Sequence, residues 1–180
     1  MIFSETILPG AFIIQIQKLE DERGYFARTF CQNEFRDHGL NPSLAQCNIS
    51  YNRKKSTLRG MHFQAPPRAE AKLVQCLRGS IYDVIIDLRA DSPTFLKHAG
   101  VVLAAQEHTM IYVPEGFAHG FITLEDDTEV FYQMSEFYAP GFARGFLWND
   151  PAFAIVWPAQ PLVISERDTG YPNFSLEYLK

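Results

Sequence analysis

The sequence lacks the features that mark nucleic-acid-binding and membrane proteins. Its longest basic run is Arg53-Lys54-Lys55, and 16 Lys and Arg against 21 Asp and Glu give a formal net charge of −5. Nucleic-acid-binding domains typically carry a basic stripe, so we expect no nucleic-acid partner. No stretch approaches the roughly 18 uncharged apolar residues of a membrane span, and the first residues lack the pattern of a secretory signal. We therefore expect a cytoplasmic protein with no membrane contact.

Cysteine is also scarce. Only Cys31, Cys47 and Cys76 are present, at wide spacing, and they form neither an even disulfide framework nor a CxxC motif. We expect reduced thiols with mostly structural roles, which agrees with a cytoplasmic location.

Helical periodicity is nearly absent, and apolar residues instead recur with period two in short runs separated by turn-forming residues. One helix is predicted near residues 31–38, with Gly39 as its C-terminal stop. The 180 residues, 47% of them hydrophobic, predict one mainly β domain over 1–180, folded as a barrel or jelly roll. The predicted strands are 11–17, 44–50, 72–77, 80–88, 99–104, 109–113, 117–124, 128–138 and 162–165.

Strand alternation groups three polar side chains. Gln46, Asn48 and Ser50 share one face of the segment 44–50. Such a face is either exposed to solvent or lines a polar cavity, and both interpretations stay open on the pattern alone.

A hairpin is predicted where Arg78-Gly79 separates the segments 72–77 and 80–88. In that register Lys72 and Asp83 would be diagonal neighbours on one face of the sheet. The two charges would then form either a plain ion pair or part of a site.

Two of the five histidines, His62 and His119, lie in glycine- and aromatic-rich segments, whereas the other three lie in surface-like contexts. Each of the two fits a satisfied core or rim position, and two on separate strands fit a shared pocket equally well. A metal site needs imidazoles or carboxylates that converge at short spacing, and His62 has neither an HxH partner nor a carboxylate in the next six residues. We therefore expect no metal. Arg59 and Lys72 instead suit proton transfer beside a developing negative charge.

Ordered sequence blocks run through nearly the whole chain. They are Asp21-Glu-Arg-Gly-Tyr-Phe26, Gln46-x-Asn48-x-Ser50, Leu58-Arg-Gly-Met-His-Phe-Gln64, Lys72-Leu-Val, Asp83-Val-x-x-Asp-Leu-Arg89, Ser92-Pro-Thr, Val113-Pro-Glu-Gly-Phe-Ala-His-Gly-Phe121, Tyr132, Tyr138-x-Pro140, Trp148-Asn-Asp-Pro151, Trp157-Pro158 and Ser165-x-x-Asp168. On these blocks the chain resembles the dTDP-4-dehydrorhamnose 3,5-epimerase family, nucleotide-sugar epimerases of the cupin superfamily. The resemblance implies an isomerase with a cupin-type jelly-roll β-barrel and a few short helices.

The resemblance also implies roles for four residues in proton transfer. His62 matches the general base, and Asp168 matches the carboxylate that orients its ring. Lys72 matches the residue beside the C4 keto oxygen, where it would stabilise the enolate formed when a neighbouring C–H is removed. Tyr132 matches the acid that returns the proton from the opposite face of the sugar. Because the ketone acidifies C3 and C5, the resemblance implies no metal or redox cofactor.

Further residues match substrate-contacting positions of the family. They are Gln46, Asn48, Arg59 and His119, with Tyr138 as an aromatic wall. Strict alternation would put Arg59 and His62 on opposite faces of one strand, yet the family has both near the substrate. A bulge or a twist at Gly60 would resolve this conflict.

An N-terminal segment matches residues that approach the nucleotide. Arg23 and Phe26 do so in this family partly from the neighbouring subunit of a dimer. The resemblance therefore implies a homodimer in which Arg23 or Arg28 reaches the partner's site, and a dTDP-linked sugar as the substrate.

Three positions depart from the common family pattern. Arg28 stands where an acidic residue is usual, Ala143 stands where a Glu is usual, and Arg167 replaces a Lys before the final Asp. We place Arg167 among the substrate-binding residues, since it keeps the positive charge with a different geometry. These departures bear on the nucleotide and on the choice of carbon rather than on the proposed base, acid or lysine.

The expected function is inversion of C3, C5 or both in a dTDP-4-keto-6-deoxyhexose, in rhamnose-like deoxysugar biosynthesis. The alternatives are inversion of one carbon only in a sugar linked to a different nucleotide, and a nucleotide-sugar-binding cupin without catalysis. The combination of His62, Lys72, Tyr132 and Asp168 favours the enzyme, because a binding module needs no base and acid on opposite sides of a ring.

Overall fold

Fourteen short strands account for most of the regular structure in the computed structural model, which describes residues 1–179. Lys180, the last residue of the predicted domain, lies outside the described residues. The strands are β1 (Ile2–Glu5), β2 (Phe12–Gln15), β3 (Leu19–Asp21), β4 (Gly24–Phe26), β5 (Gln46–Asn52), β6 (Thr57–Gln64), β7 (Lys72–Arg78), β8 (Ser80–Asp87), β9 (His98–Ala104), β10 (Thr109–Val113), β11 (Phe117–Thr123), β12 (Thr128–Met134), β13 (Ala143–Gly145) and β14 (Val163–Ile164).

Two sheets face each other. The first has the strand order β1-β2-β10-β7-β12-β5, and the second has the order β13-β6-β11-β8-β9, with β14 added in parallel to β6. All other pairings are antiparallel, and β3 and β4 form a separate two-stranded hairpin. This arrangement is the predicted jelly roll of the cupin type.

The core lies between the inner faces of the two sheets. Alternate residues of each strand point inward, so Val74 and Cys76 of β7 meet Ile81 and Ile85 of β8 with no more than 1% of their surface exposed. Burial of each such aliphatic side chain contributes about 1.5–3 kcal/mol relative to exposure. The same period-two pattern made these strands recognisable in the sequence.

Helices are short and few among the described residues. They are α1 (Gln32–Asp37), α2 (Glu166–Thr169) and single 3-10 turns at Ala105–Glu107 and Leu176–Leu179. The predicted helix near 31–38 is confirmed as α1, which buries Phe35 and is followed by Gly39 at a φ of +70°. No helix among residues 1–179 is long and apolar enough to cross a membrane.

The predicted hairpin of 72–77 with 80–88 is wrong. β7 pairs with β10 and β12 in the first sheet, whereas β8 pairs with β9 and β11 in the second. Both edges of each strand are thus already occupied, and the chain passes from one sheet to the other at Gly79, whose φ is +75°. Lys72 and Asp83 therefore lie in opposite sheets rather than side by side.

Every predicted strand overlaps an observed one, but five observed strands were missed: β1, β3, β4, β6 and β13. The most consequential is β6, which carries His62. Gly60 interrupts its alternation, so the segment shows no regular period in the sequence. The predicted strand 128–138 also ends early, at Met134.

Candidate active site

A cavity of about 510 Å³ opens between the two sheets. Strands from both sheets and helix α2 contribute to its wall. The lining residues are Asn48, Ser50, Arg59, His62, Glu70, Lys72, His119, Phe121, Tyr132, Met134, Ser165, Arg167 and Asp168. The structure thus brings together all four predicted proton-transfer residues and four of the predicted substrate contacts.

Arg59 and His62 both reach the cavity because β6 contains a bulge. The pairing of β11 with β6 joins His119 to His62 and Phe121 to Arg59, so β6 has one more residue than β11 over this stretch. Gly60 has a φ of +136°, and a Cβ there would lie 2.5 Å from the Cα of Gly120. Of the two alternatives at Gly60, the bulge is therefore the one observed.

His62 is held by a buried carboxylate. Its Nε2 lies 2.7 Å from Oδ1 of Asp168, and Oδ2 of Asp168 accepts the backbone N–H of Gly60 at 3.3 Å. Asp168 sits on α2, where its own N–H donates to the N-cap Oγ of Ser165. With an ionised Asp168, Nε2 carries the proton, and Nδ1 is the ring nitrogen left to accept one.

The pKa of Asp168 lies below its ordinary value. Burial acts in the opposite direction, but the hydrogen bond and charge of His62, together with the N–H of Gly60 and the contact to Ser165, favour the carboxylate more strongly. Asp168 is therefore ionised at neutral pH and fixes the ring orientation of His62. The contact agrees with the position that the resemblance implied, and the part of Asp168 in catalysis stays a prediction.

A second histidine–aspartate pair lies beside the first. His119 of β11 is directly opposite His62 on β6, and its Nε2 lies 2.8 Å from Oδ2 of Asp83 on β8. Both residues are buried, and Oδ1 of Asp83 has no hydrogen-bond partner among residues 1–179.

Tyr132 faces the cavity from the other sheet. It lies on β12, whereas His62 lies on β6, so the two side chains occupy opposite walls. The phenol oxygen of Tyr132 lies 3.1 Å from Oγ of Ser50 on the neighbouring β5. Burial raises the pKa of Tyr132, so the phenol is protonated at neutral pH.

Lys72 begins β7 and is buried, with 6% of its surface exposed. Its Nζ lies 2.6 Å from Oε1 of Glu70, also buried, and not beside Asp83 as the sequence predicted. Glu70 was missed, although it lies two residues before Lys72 in an extended segment, where alternation places both on one face.

The polar face of β5 lines the cavity, which settles the alternative left open by the sequence. Asn48 and Ser50 are part of the wall, whereas Gln46 is not. The amide of Gln46 donates to Asn48 at 3.4 Å and accepts the backbone N–H of Tyr138 at 2.8 Å. Tyr138 is 55% exposed and does not itself line the wall.

Arg167 of α2 lines the cavity next to Asp168. Its Nε donates to the phenol oxygen of Tyr171 at 2.7 Å. The ring of Tyr171 meets His62 edge-on at 5.9 Å. Tyr171 was missed by the sequence analysis, where only its position three residues after Asp168 hinted at it.

The N-terminal candidates do not line the cavity within the chain. Arg23 and Phe26 lie on the exposed β3–β4 hairpin, and Arg23 pairs with Asp21. Nη1 of Arg28 lies 2.8 Å from Oε1 of Glu34 on α1. The predicted contribution of these residues to a partner's site stays a prediction. Within residues 1–179, no group of three or more His, Cys, Asp or Glu side chains is arranged to hold a metal ion.

These features define an acid–base site in a cupin-type jelly roll. The His62–Asp168 dyad forms part of one wall, the phenol of Tyr132 lies on the other, and Lys72 lines the same cavity. Residues 5–175 match the family model of dTDP-4-dehydrorhamnose 3,5-epimerase. The chain belongs to this family.

Individual relatives agree over nearly the full length. A dTDP-4-dehydrorhamnose 3,5-epimerase of Sinorhizobium fredii is 38% identical over 100% of this chain and 95% of its own. The crystal structure of the Elizabethkingia anophelis enzyme of that name superposes with a TM-score of 0.93 at 38% identity, covering 97% of this chain and 96% of that one. A 3'-monoepimerase from Streptomyces bikiniensis, in complex with dTDP-quinovose, gives 0.84 at 32% identity, covering 93% and 85%.

Proposed function

We propose that the protein inverts C3 and C5 of a dTDP-linked 4-keto-6-deoxyhexose, in the biosynthesis of a rhamnose-like deoxysugar. The observation that carries this proposal is the placement of the His62–Asp168 dyad and Tyr132 on opposite walls of one cavity. Epimerisation requires a base on one face of the sugar and an acid on the other, and this geometry supplies both.

In the proposed reaction, Nδ1 of His62 removes the proton from a carbon beside the C4 ketone. The C–H electron pair forms the C–C double bond, and the carbonyl electrons move to O4, which becomes an enolate oxygen. The ammonium of Lys72 stabilises that charge. The enolate then collapses, and the carbon takes the phenol proton of Tyr132 on its opposite face. Proton exchange with solvent returns His62 and Tyr132 to their starting states.

Substrate contacts follow from the wall and the rim. Asn48, Arg59 and His119 line the same cavity as the dyad and offer hydrogen bonds to a sugar or a phosphate. Gln46 donates a hydrogen bond to Asn48 and accepts one from the backbone N–H of Tyr138, while Arg167 lines the cavity.

For the nucleotide we propose a homodimer in which the β3–β4 hairpin reaches the partner's cavity. Phe26 is 72% exposed, and Arg23 and Arg28 are exposed as well, which leaves them accessible to a second subunit. The ring of Tyr25 anchors the hairpin, since its phenol oxygen lies 2.7 Å from Nε2 of His108. We also propose a cytoplasmic location, supported by the three free cysteines.

Inversion of a single carbon is the second candidate, because the 3'-monoepimerase shares this fold at 32% identity. One base and one acid serve either carbon if the ring is bound suitably. The shape of the cavity wall therefore decides whether C3, C5 or both are inverted. A panel of dTDP-, UDP-, CDP- and GDP-linked 4-keto-6-deoxy sugars in D₂O, read by NMR, tests both choices. We expect dTDP to be preferred and deuterium at C3 and C5. Preference for another nucleotide, or label at one carbon only, would contradict the respective half of the proposal.

A further inference from the structure

Glu70 and Lys72 form an ion pair in the cavity wall. Among residues 1–179 it is the one pair there between a lysine and a carboxylate. Oε1 of Glu70 lies 2.6 Å from Nζ of Lys72, and their side chains are 9% and 7% exposed. The two residues are separated by Ala71, and alternation in extended backbone directs both toward the cavity. Neither the family blocks nor the predicted site residues include Glu70.

The backbone between the two charges is fixed on both sides. Ala71 donates its N–H to Oγ of Ser135 at 2.7 Å, and its carbonyl accepts the N–H of Ser135 at 3.0 Å. Lys72 is also paired in the sheet with Met134 of β12. The carboxylate of Glu70 is therefore presented to Lys72 by a rigid segment, rather than by a mobile surface loop.

The ammonium of Lys72 is nevertheless incompletely bonded. Glu70 is the one partner close to Nζ among residues 1–179, and no second acceptor is in place. An ammonium carries three donors, so two stay available to an oxygen placed in the cavity after the contact with Glu70. An uncompensated buried charge is strongly unfavourable, and the adjacent carboxylate compensates the charge of Lys72 while occupying one donor.

We infer that Glu70 is a positioning residue for epimerisation, which holds the ammonium of Lys72 at the place where the enolate oxygen forms. This inference rests on the proposed function and deepens it. Glu70 acts through Lys72 and moves no proton itself. Its effect is therefore confined to the transition state, where O4 carries charge, and is small for binding of the nucleotide.

The test compares Glu70→Gln, Lys72→Met and the double variant. Deuterium exchange from D₂O into the substrate gives kcat and KM, and calorimetry gives the affinity for dTDP. We expect Glu70→Gln to lower kcat by about 10- to 100-fold, with KM and the dTDP affinity changed less than about threefold. In the Lys72→Met background the same change should cost less than about threefold in kcat, since its target is gone.

Two further variants separate positioning from folding. Glu70→Asp keeps the charge and should recover at least part of the lost kcat. Glu129→Gln removes a carboxylate of β12 that does not line the cavity, and should leave kcat unchanged. Multiplicative losses in the double variant would overturn the inference, because Glu70 would then act independently of Lys72. A fall in kcat explained by loss of folded protein in a thermal melt would overturn it as well.

The inference and the proposed function fail in different ways. If the wild-type protein exchanges no deuterium into any 4-keto sugar, the proposed function fails. If the wild type exchanges and Glu70→Gln matches it in kcat, the inference about Glu70 fails alone.

Discussion

Strand β8 buries two aspartates, Asp83 and Asp87, which are four residues apart and neither of which has exposed surface. Both carboxylate oxygens of Asp87 are bonded by the guanidinium of Arg89, and hydroxyls of Ser92 and Thr94 donate to Oδ2 as well. Asp83 has a single partner, Nε2 of His119, and its Oδ1 has none among the described residues.

The difference separates a structural charge from a functional one. Every carboxylate oxygen in the Asp87 cluster has a hydrogen-bond partner. Arg89 also donates to the carbonyl of Pro9 and lies 4.7 Å over the ring of Phe117, so it joins the β8–β9 loop to the N-terminal strands. Asp83 has no such cluster: its one partner, His119, lines the cavity, and its Oδ1 has no hydrogen bond among residues 1–179. Buried polar groups without partners are costly, so we assign Asp83 to the orientation of His119 rather than to stability.

The strongest test of this contrast removes the proposed base, His62, from the cavity. His62→Ala should lower deuterium exchange into the substrate by about 10³-fold or more, because it removes the imidazole that Asp168 orients in the cavity. The variant should stay folded, since the His62 side chain is 39% exposed and Asp168 keeps the backbone N–H of Gly60. Exchange within tenfold of wild type, measured by NMR, would show that the base is another residue.

A matched substitution in the Asp87 cluster should lower stability and leave catalysis unchanged. Asp87→Asn leaves the Arg89 guanidinium without its carboxylate and should lower the free energy of unfolding by about 3 kcal/mol. Urea denaturation measures that loss, and kcat at 25 °C should stay within about twofold of wild type. A tenfold fall in kcat with unchanged stability would remove the distinction between the two aspartates.

Tyr132→Phe tests whether His62 and Tyr132 have separate roles in the cavity. It deletes the returning acid but not the base, so inversion should slow by about 10²-fold while removal of the first proton slows less. The measurement compares deuterium wash-in without inversion against formation of the inverted product. Equal and complete loss of both would contradict separate roles for His62 and Tyr132.

The free energy of unfolding at acidic pH should depend on the protonation of Asp87. Burial acts to raise its pKa, but bonds from Arg89, Ser92 and Thr94 lower it from 3.8 to about 2. Because the folded pKa is depressed, its contribution is complete above about pH 4 and disappears as pH falls through about 2. The difference in unfolding free energy between wild type and Asp87→Asn should therefore shrink by about 2 kcal/mol over this range. A difference independent of pH would contradict this assignment.

The sequence predicted the β architecture well because inner-face alternation is a local signal. Strand pairing is not local, which is why β7 and β8 were joined as a hairpin although each has partners from distant segments. The bulge at Gly60 hid β6 as a strand, even though the family blocks identified His62. Glu70 escaped because its role comes from the cavity around it rather than from any pattern of its own.

The most direct test of the central claim follows the wild-type protein with dTDP-4-keto-6-deoxyglucose in D₂O by proton NMR. A base and an acid on opposite walls of one cavity predict loss of the C3 and C5 proton signals together with accumulation of the inverted sugar. Retention of both proton signals, with dTDP still bound by the protein, would contradict the account and leave a nucleotide-sugar-binding cupin in its place.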